Sequence, residues 1–370
     1  MAIYNPTTSD SLTVKRWAAG ATTWVESIAE TFFASRNLMG TDGRNIVQLM
    51  EDLTKGKGDN ITYQLRTQLV GTGKTEGQAL VGNEEAISYL YDSIGINELR
   101  HAVKVPGKRS IHKQRTNVDQ YEDAKPALQD WFRTRFDTSA FNQLCAYTPQ
   151  TDTKYTGLNS VVSIDSNHVV RPSTITADES LTASHIFTLD LFDKALNKAV
   201  TLSNNPLRPV TIGGDDFYVG FIHPHQQYNM VTATTTGGWL DVAKAKAQGG
   251  YLAESGFLNG SLGVYKNIII HSSTRITAGV DSSTSTTAVA DVRRAVLAGA
   301  NALTMSFGNA LPEMGEDGLP LAYDEEIQDY GHEVGVAAGT IFGLKAATFA
   351  FGGTNTSYGR ILIPTYATAP

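Results

Sequence analysis

The chain has 370 residues, enough for one large domain or two ordinary ones around a sizeable core. Its formal net charge is −7, which argues against a dedicated nucleic-acid binder, since those carry a basic excess. Charged residues make up 18%, below the usual quarter or so, and one cysteine, Cys145, rules out a disulfide framework within the chain.

A single cysteine is expected in a protein made in a reducing compartment. The opening MAIYNPTTSD has no basic n-region and no apolar run, so no secretory leader is expected. From Thr13 to about Arg36 the spacing predicts a helix. Val14, Trp17, Ala21, Trp24, Val25, Ile28 and Phe32 form one apolar stripe, and Gly40 with Asp42-Gly43 stops it. Trp17 and Trp24 on that stripe need a large surface, either the chain's own core or a neighbouring subunit.

Strand periodicity follows. Ile61, Tyr63, Leu65, Thr67 and Leu69 alternate with polar residues, and the return segment is EEAISYLYDSIGINELRHAVKV. Ile87, Tyr89 and Tyr91 share one parity while Ile94 and Ile96 take the other. That change predicts a bulge or corner at Asp92-Ser93. Residues 55–103 thus read as a long hairpin with a glycine-rich tip around 71–83.

Residues 119–147 give the clearest helix, with Ala124, Ala127, Leu128, Trp131, Phe132, Phe136, Ala140, Phe141 and Leu144 on one face. Pro126 is tolerated only in a first turn, so the regular helix is expected to begin near Ala124. Residues 148–185 read as loops and short strands, and Leu189 to Leu202 as a second amphipathic helix. FYVGFIHPHQQYNMV reads as a strand, a turn at Pro224 and a short helix. Asn267 to His271 forms another strand, and 279–289 an exposed loop. VRRAVLAGANALTMSFG, HEVGVAAGTIFGLKAATFAF and GRILIPTYA are strand-like. The most apolar run, Val334 to Leu344, ends at Lys345 and is too short to span a membrane.

Gly71-Thr72-Gly73-Lys74-Thr75 raises the question of a phosphate loop. The pattern needs a glycine where Gln68 stands, and a helix after the lysine, where Gly77, Gly82 and Asn83 are poor helix formers. GSLG at 260–263 is not a nucleophile elbow, and His332-Glu333 has Val336 where a zinc motif needs histidine. His223 and His225 flank a turn without further ligands at a recognisable spacing. Glu84-Glu85, Asp215-Asp216 and Glu325-Glu326 read as solvated faces or subunit contacts, and Cys145 as a buried structural thiol. No catalytic residue, cofactor site or metal site is expected. The long hairpin and bulky N-terminal stripe both need covering, which points to a subunit that interlocks.

In order and spacing, DLTKGKGDNITYQLRTQLVGTG, LVGNEEAISYLYDSIGINELRHAV, AKPALQDWFRTRFDTSAFNQLC, YVGFIHPHQQYNM, LGVYKNIIIHSSTRI, RRAVLAGANALTMSFG and DYGHEVGVAAGTIFGLKAATF resemble the major capsid proteins of tailed phages. The branch is the N4-type one, with the Hong Kong 97-like fold. Pro126 and the Ser/Thr-rich stretch at 281–287 are departures. The resemblance implies an α+β fold. It has an N-terminal arm (1–54), an E-loop (55–103), a peripheral domain with a spine helix (104–149), an axial domain (150–326) and return strands completing the peripheral domain (327–370). It implies no enzyme and no cofactor, but self-assembly through hexamers and pentamers into a virion capsid, built in the host bacterial cytoplasm. Implied partners are scaffolding, portal and cement proteins and weakly held double-stranded DNA, with no membrane. Candidate inter-subunit contacts are Trp17, Trp24, Tyr63, Arg66, Lys74, Glu84, Glu85, Tyr89 and Tyr91. No covalent cross-link is expected through Lys55, Lys57 or Lys74. The alternatives are an encapsulin-like compartment shell and a nucleotide hydrolase.

Overall fold

The computed structural model describes residues 30–50, 58–69, 71–107, 111, 120–202, 206–212, 215–232, 261–309, 321–351 and 354–369. In chain order the first strands are β1 (Met39–Gly40), β2 (Val47–Met50), β3 (Asn60–Arg66), β4 (Tyr89–Gly95) and β5 (Asn97–Pro106). Helix α1 (Gln120–Leu144) follows, then α2 (Leu189–Thr201), β6 (Val210–Ile212), β7 (Asp215–Ile222) and α3 (Pro224–Thr232). Next come β8 (Gly263–Tyr265), β9 (Ile268–Ser272), β10 (Ala278–Val280), β11 (Ala288–Ala298) and β12 (Leu303–Phe307). The chain closes with β13 (Leu321–Gln328), β14 (Glu333–Ala346), β15 (Thr348–Phe351), β16 (Thr354–Ser357) and β17 (Arg360–Tyr366).

Helix α1 forms because its apolar residues recur every fourth position. Ala124, Leu128, Phe132, Phe136, Ala140 and Leu144 are all buried, one above the next. At 25 residues it is about 37 Å long. Its buried stripe lies on β5 and β14. Strand β14 is the centre of the first sheet, which runs β1-β2-β12-β14-β13 with β5 also on β14. Residues 333–340 pair antiparallel with both β13 and β5, so those two strands occupy opposite edges of β14. Strand β12 pairs with the remaining end, Phe342 to Ala346.

The second sheet runs β10-β11-β7-β9-β8, with β17 on β11 and β6 on β7. Strands β7 and β9 pair parallel, and their near-continuous apolar runs are buried. Helix α2 covers this sheet with Leu189, Leu191, Phe192, Ala195 and Ala199. Residues beyond 327 feed both sheets: β14 is the centre of the first, while β17 pairs with β11 from Val292↔Tyr366 to Ala298↔Arg360 in the second.

Several expectations need correction. The N-terminal helix, with Trp17 and Trp24, lies outside the described residues except for its end. That end is not helical: residues 30–33 are turns and bends, and Ala34–Arg36 is one 3-10 turn closed by Asn37 at φ 53°. The reason is packing. Phe32 and Phe33 both place their rings 5.3 Å from Phe141, whereas successive helical residues point about 100° apart. Helix α1 begins at Gln120, so Pro126 sits beyond its first turn. Residues 148–185 carry 3-10 turns and an isolated bridge, Val169↔Leu362, in place of strands. Residues 279–289 hold a turn between the ends of β10 and β11, with Asp281 N–H bonded to Thr287 O at 3.0 Å.

The hairpin also differs. Strand β3 ends at Arg66, short of Leu69, and β3 and β4 pair without a register shift from Asn60↔Gly95 to Arg66↔Tyr89. There is no bulge at Asp92-Ser93. The break falls at Ile96, where the chain leaves the ribbon and enters the first sheet as β5. The parity change arises because the two parities line the two faces of the ribbon.

Candidate inter-subunit surface

The ribbon has an inner and an outer face. Ile61, Tyr63 and Leu65 lie opposite Ile94, Asp92 and Leu90, and this face turns toward the body. Tyr63, Leu65 and Leu90 pack on the small sheet of β15 and β16, around Phe349 and Tyr358. Thr62, Gln64 and Arg66 lie opposite Ser93, Tyr91 and Tyr89 and face outward. Tyr91 is 62% exposed, and Tyr89, Arg66 and Gln64 are exposed too.

Beyond Arg66 and Tyr89 the chain continues into an exposed tip. Gly73 (φ 71°), Gly77 (φ 82°) and Gly82 (φ 84°) bend it in the left-handed region. An added Cβ would meet nothing within 4 Å at any of the three, so conformation rather than crowding calls for glycine. Two acidic side chains hold the bends. Glu85 accepts the Gly71 N–H and Glu84 the Gly82 N–H, each at 2.7 Å. Lys74 stands exposed in this tip, and residues 76–77 form a turn, not the first turn of a phosphate-binding helix. Leu69, Leu80, Val81 and Ile87 are exposed as well.

The candidate contacts therefore divide. Arg66, Lys74, Glu84, Glu85, Tyr89 and Tyr91 stand together on the outer face and tip. Trp17 and Trp24 lie outside the described residues. Tyr63 lies on the inner face: its hydroxyl donates to Asp92 at 2.6 Å and its ring meets Phe349 edge-on at 5.8 Å. Burial, then the Asp92 charge, pushes its hydroxyl well above the usual tyrosine range.

Burial pushes the Cys145 thiol up, and its Sγ donates to Arg294 O at 3.6 Å. His223 and His225 meet edge to face at 4.4 Å, and the His225 N–H donates to His223 Nδ1. Glu325 accepts the hydroxyls of Tyr121 and Tyr323, both at 2.8 Å. Among the described residues no group of three or more His, Cys, Asp or Glu is placed to hold a metal ion, and no helix is long and apolar enough to cross a membrane.

Sequence reading missed two buried polar hubs. One joins Asp92 of the ribbon to Lys345, whose ammonium it accepts. The visible signal was a lysine ending an apolar run, since a charge in such a setting needs a partner. The other joins Arg294 and Arg360 to the end of α1. No local pattern announces it, because its members are far apart in the chain.

A body of two sheets joined by one long helix, with a ribbon turned outward, defines a structural subunit whose working parts are surfaces. The phage capsid protein family model matches residues 5–369, and the chain belongs to that family. It is a major capsid protein, the subunit that forms the shell of the virion. The capsid of Ralstonia phage GP4 is similar at 25% identity, over 92% of each chain, with a TM-score of 0.76. The cyanophage Pam1 capsid shares the fold at 17% identity, over 93% of this chain and 94% of that one, with a TM-score of 0.68. The acidic stable capsid of Helicobacter pylori bacteriophage KHP30 does so at 14%, over 89% and 90%, with a TM-score of 0.62. None of the curated proteins matches the chain.

Proposed function

We propose that this subunit assembles through hexamers and pentamers into an icosahedral shell around double-stranded phage DNA, in the Hong Kong 97-like manner of the N4-type branch. The observation that carries this reading is the ribbon: one face packed on its own body, the other bearing Arg66, Tyr89 and Tyr91, and an exposed tip. Such a surface suits a neighbouring copy, and repeated head-to-tail contacts close into rings. In this reading residues 1–54 are the arm, 55–103 the E-loop, and α1 the spine of a peripheral domain that reaches residue 149. Residues 150–326 form most of the axial domain, and 327–370 return to complete the peripheral domain, with β17 crossing to the second sheet. Arg66, Lys74, Glu84 and Glu85 pair across subunits, each contributing little singly. Tyr89 and Tyr91, with Trp17 and Trp24 of the arm, supply the apolar area. The net charge of −7 suits a shell that encloses DNA with weak, non-specific contact. Scaffolding, portal and cement proteins are the expected partners in the host cytoplasm, with no covalent cross-links between subunits.

Electron microscopy of the concentrated protein tests this. Rings or closed shells are expected from the unmodified chain. A chain with residues 71–83 replaced by Asn-Gly is expected to stay folded without forming shells. Dispersed monomers with a radius of gyration near the compact value of roughly 21 Å would count against the reading. So would shells that form equally well without the tip. A ladder of covalent oligomers on a denaturing gel of mature particles would overturn the absence of cross-links.

A further inference from the structure

Midway along its inner face the ribbon is held to the body at a largely buried carboxylate. The Asp92 side chain is 9% exposed and that of Lys345 16%. Asp92 Oδ1 accepts the Lys345 ammonium and the Ser93 N–H (2.8 Å). Asp92 Oδ2 accepts the Tyr63 hydroxyl (2.6 Å) and the Thr348 N–H (3.1 Å). Lys345 Nζ also donates to Ser93 O at 2.8 Å. Thr304 donates to Lys345 O at 3.2 Å and lies 3.5 Å from the Tyr63 hydroxyl. Strands β3 and β4 and the β14–β15 junction thus meet at one carboxylate and one ammonium, and β12 joins through Thr304.

We propose that Asp92 and Lys345 are a positioning pair that sets the direction in which the ribbon leaves the body, and so where its tip meets the next copy. This rests on the reading of the ribbon as the reaching element. Two strands of seven residues each are marginal as a free hairpin. The other contacts of the inner face are mostly apolar, from Ile61, Leu65, Leu90 and Ile94. Apolar burial is non-directional and lets packed surfaces slide, whereas charge-assisted hydrogen bonds have fixed lengths and angles. Leverage makes the angle matter. A turn of about 10° at the root moves a tip ~30 Å away by about 5 Å, one inter-strand spacing. A buried ion pair adds little net stability against an apolar replacement, so what it supplies here is a single orientation.

The full chain carrying Asp92→Asn or Lys345→Met tests this, with two readouts. Amide hydrogen exchange in β3 and β4 of the free subunit should accelerate at least tenfold, while exchange in β7, β9 and β11 stays unchanged. Shells should be lost or become heterogeneous in size. Unchanged exchange in β3 and β4 overturns the proposal, and so do uniform wild-type shells from both variants. Loss of protection throughout the body also overturns it, by making the pair a folding element. Absence of shells from the unmodified chain removes the assembly reading and this one with it. Regular shells from the unmodified chain and from both variants remove this one alone.

Discussion

His223 shows how one buried side chain ties stability to pH. It is 7% exposed, at the junction of β7 and α3, and its Nδ1 accepts the His225 N–H at 3.2 Å. Burial, then the Arg293 and His225 charges, lowers it from 6.5 to about 4. Between those values the unfolded chain binds a proton that the folded chain does not. Its contribution is therefore fully present above pH 6.5 and is lost as pH falls toward 4. Asp137 works in the opposite sense. Burial holds it up at about 6 although it accepts the Phe32 N–H, so its contribution is present below 3.8 and lost as pH rises through 6. Urea titrations at pH 7 and pH 4.5 should show a smaller drop in midpoint for His223→Gln than for the unmodified chain. An identical drop in both would remove His223 from the account. The histidine pair at the turn was legible in the sequence, but the shift of His223 was not, because it depends first on burial and then on Arg293 in another strand.

At the scale of elements, α1 and the ribbon carry the lessons. Pro126 lies in the second turn of α1, where it lacks the N–H that would bond Glu122 O and its ring crowds that carbonyl. The residue is exposed, so no packing offsets the cost. Pro126→Ala should raise stability by about 1–3 kcal/mol, read as a higher urea midpoint with an unchanged slope. A lower midpoint would mean that the proline is needed where it stands. The ribbon was legible as alternating residues on two strands. Its faces were not, since alternation says that two faces exist and not which one is buried. Phe349 and Tyr358 decide that, and they lie far away in the sequence. Tyr63 and Tyr91 therefore looked alike until the fold placed one inside and the other outside.

At the scale of the whole molecule, the end of α1 joins the two sheets. The last turn of a helix leaves carbonyls short of i→i+4 partners: Gln143 O accepts the Ala146 N–H at 3.2 Å and Ala146 O the Thr148 N–H at 3.1 Å, and arginines supply the remaining donors. Arg360 of β17, fully buried, donates to Gln143 O and, at 3.1 Å, to Leu144 O. Arg294 of β11 donates to Cys145 O (3.2 Å) and Ala146 O (2.9 Å), and Asp178 neutralises it at 2.8 Å. Burial lowers Arg360 to about 10, and the partial negative charge of the helix end helps hold its proton. Arg360→Met leaves the Leu144 carbonyl without a donor and Gln143 O with only the Ala146 N–H, and should cost about 2 kcal/mol. Because the joint links both sheets, the loss should appear as one cooperative transition at lower denaturant, with tryptophan fluorescence and circular dichroism coincident. Separate transitions would show that the sheets unfold independently.

The sequence by itself determined the elements whose signals are local. A four-residue apolar repeat made α1, alternation made β3 and β4, apolar β-prone runs made the late strands, and glycines able to take positive φ made the ribbon tip. The order and spacing of its segments also carried the resemblance to phage capsid proteins. Only the tertiary structure decided which edge of β14 each neighbour takes, that β17 joins the second sheet, and that Asp92 meets Lys345. Those outcomes depend on pairings that no local pattern encodes, the widest being Asp92 with Lys345, 253 positions away. Periodicity reports what a segment must bury, whereas the identity of its partner is settled by the packing of the whole chain.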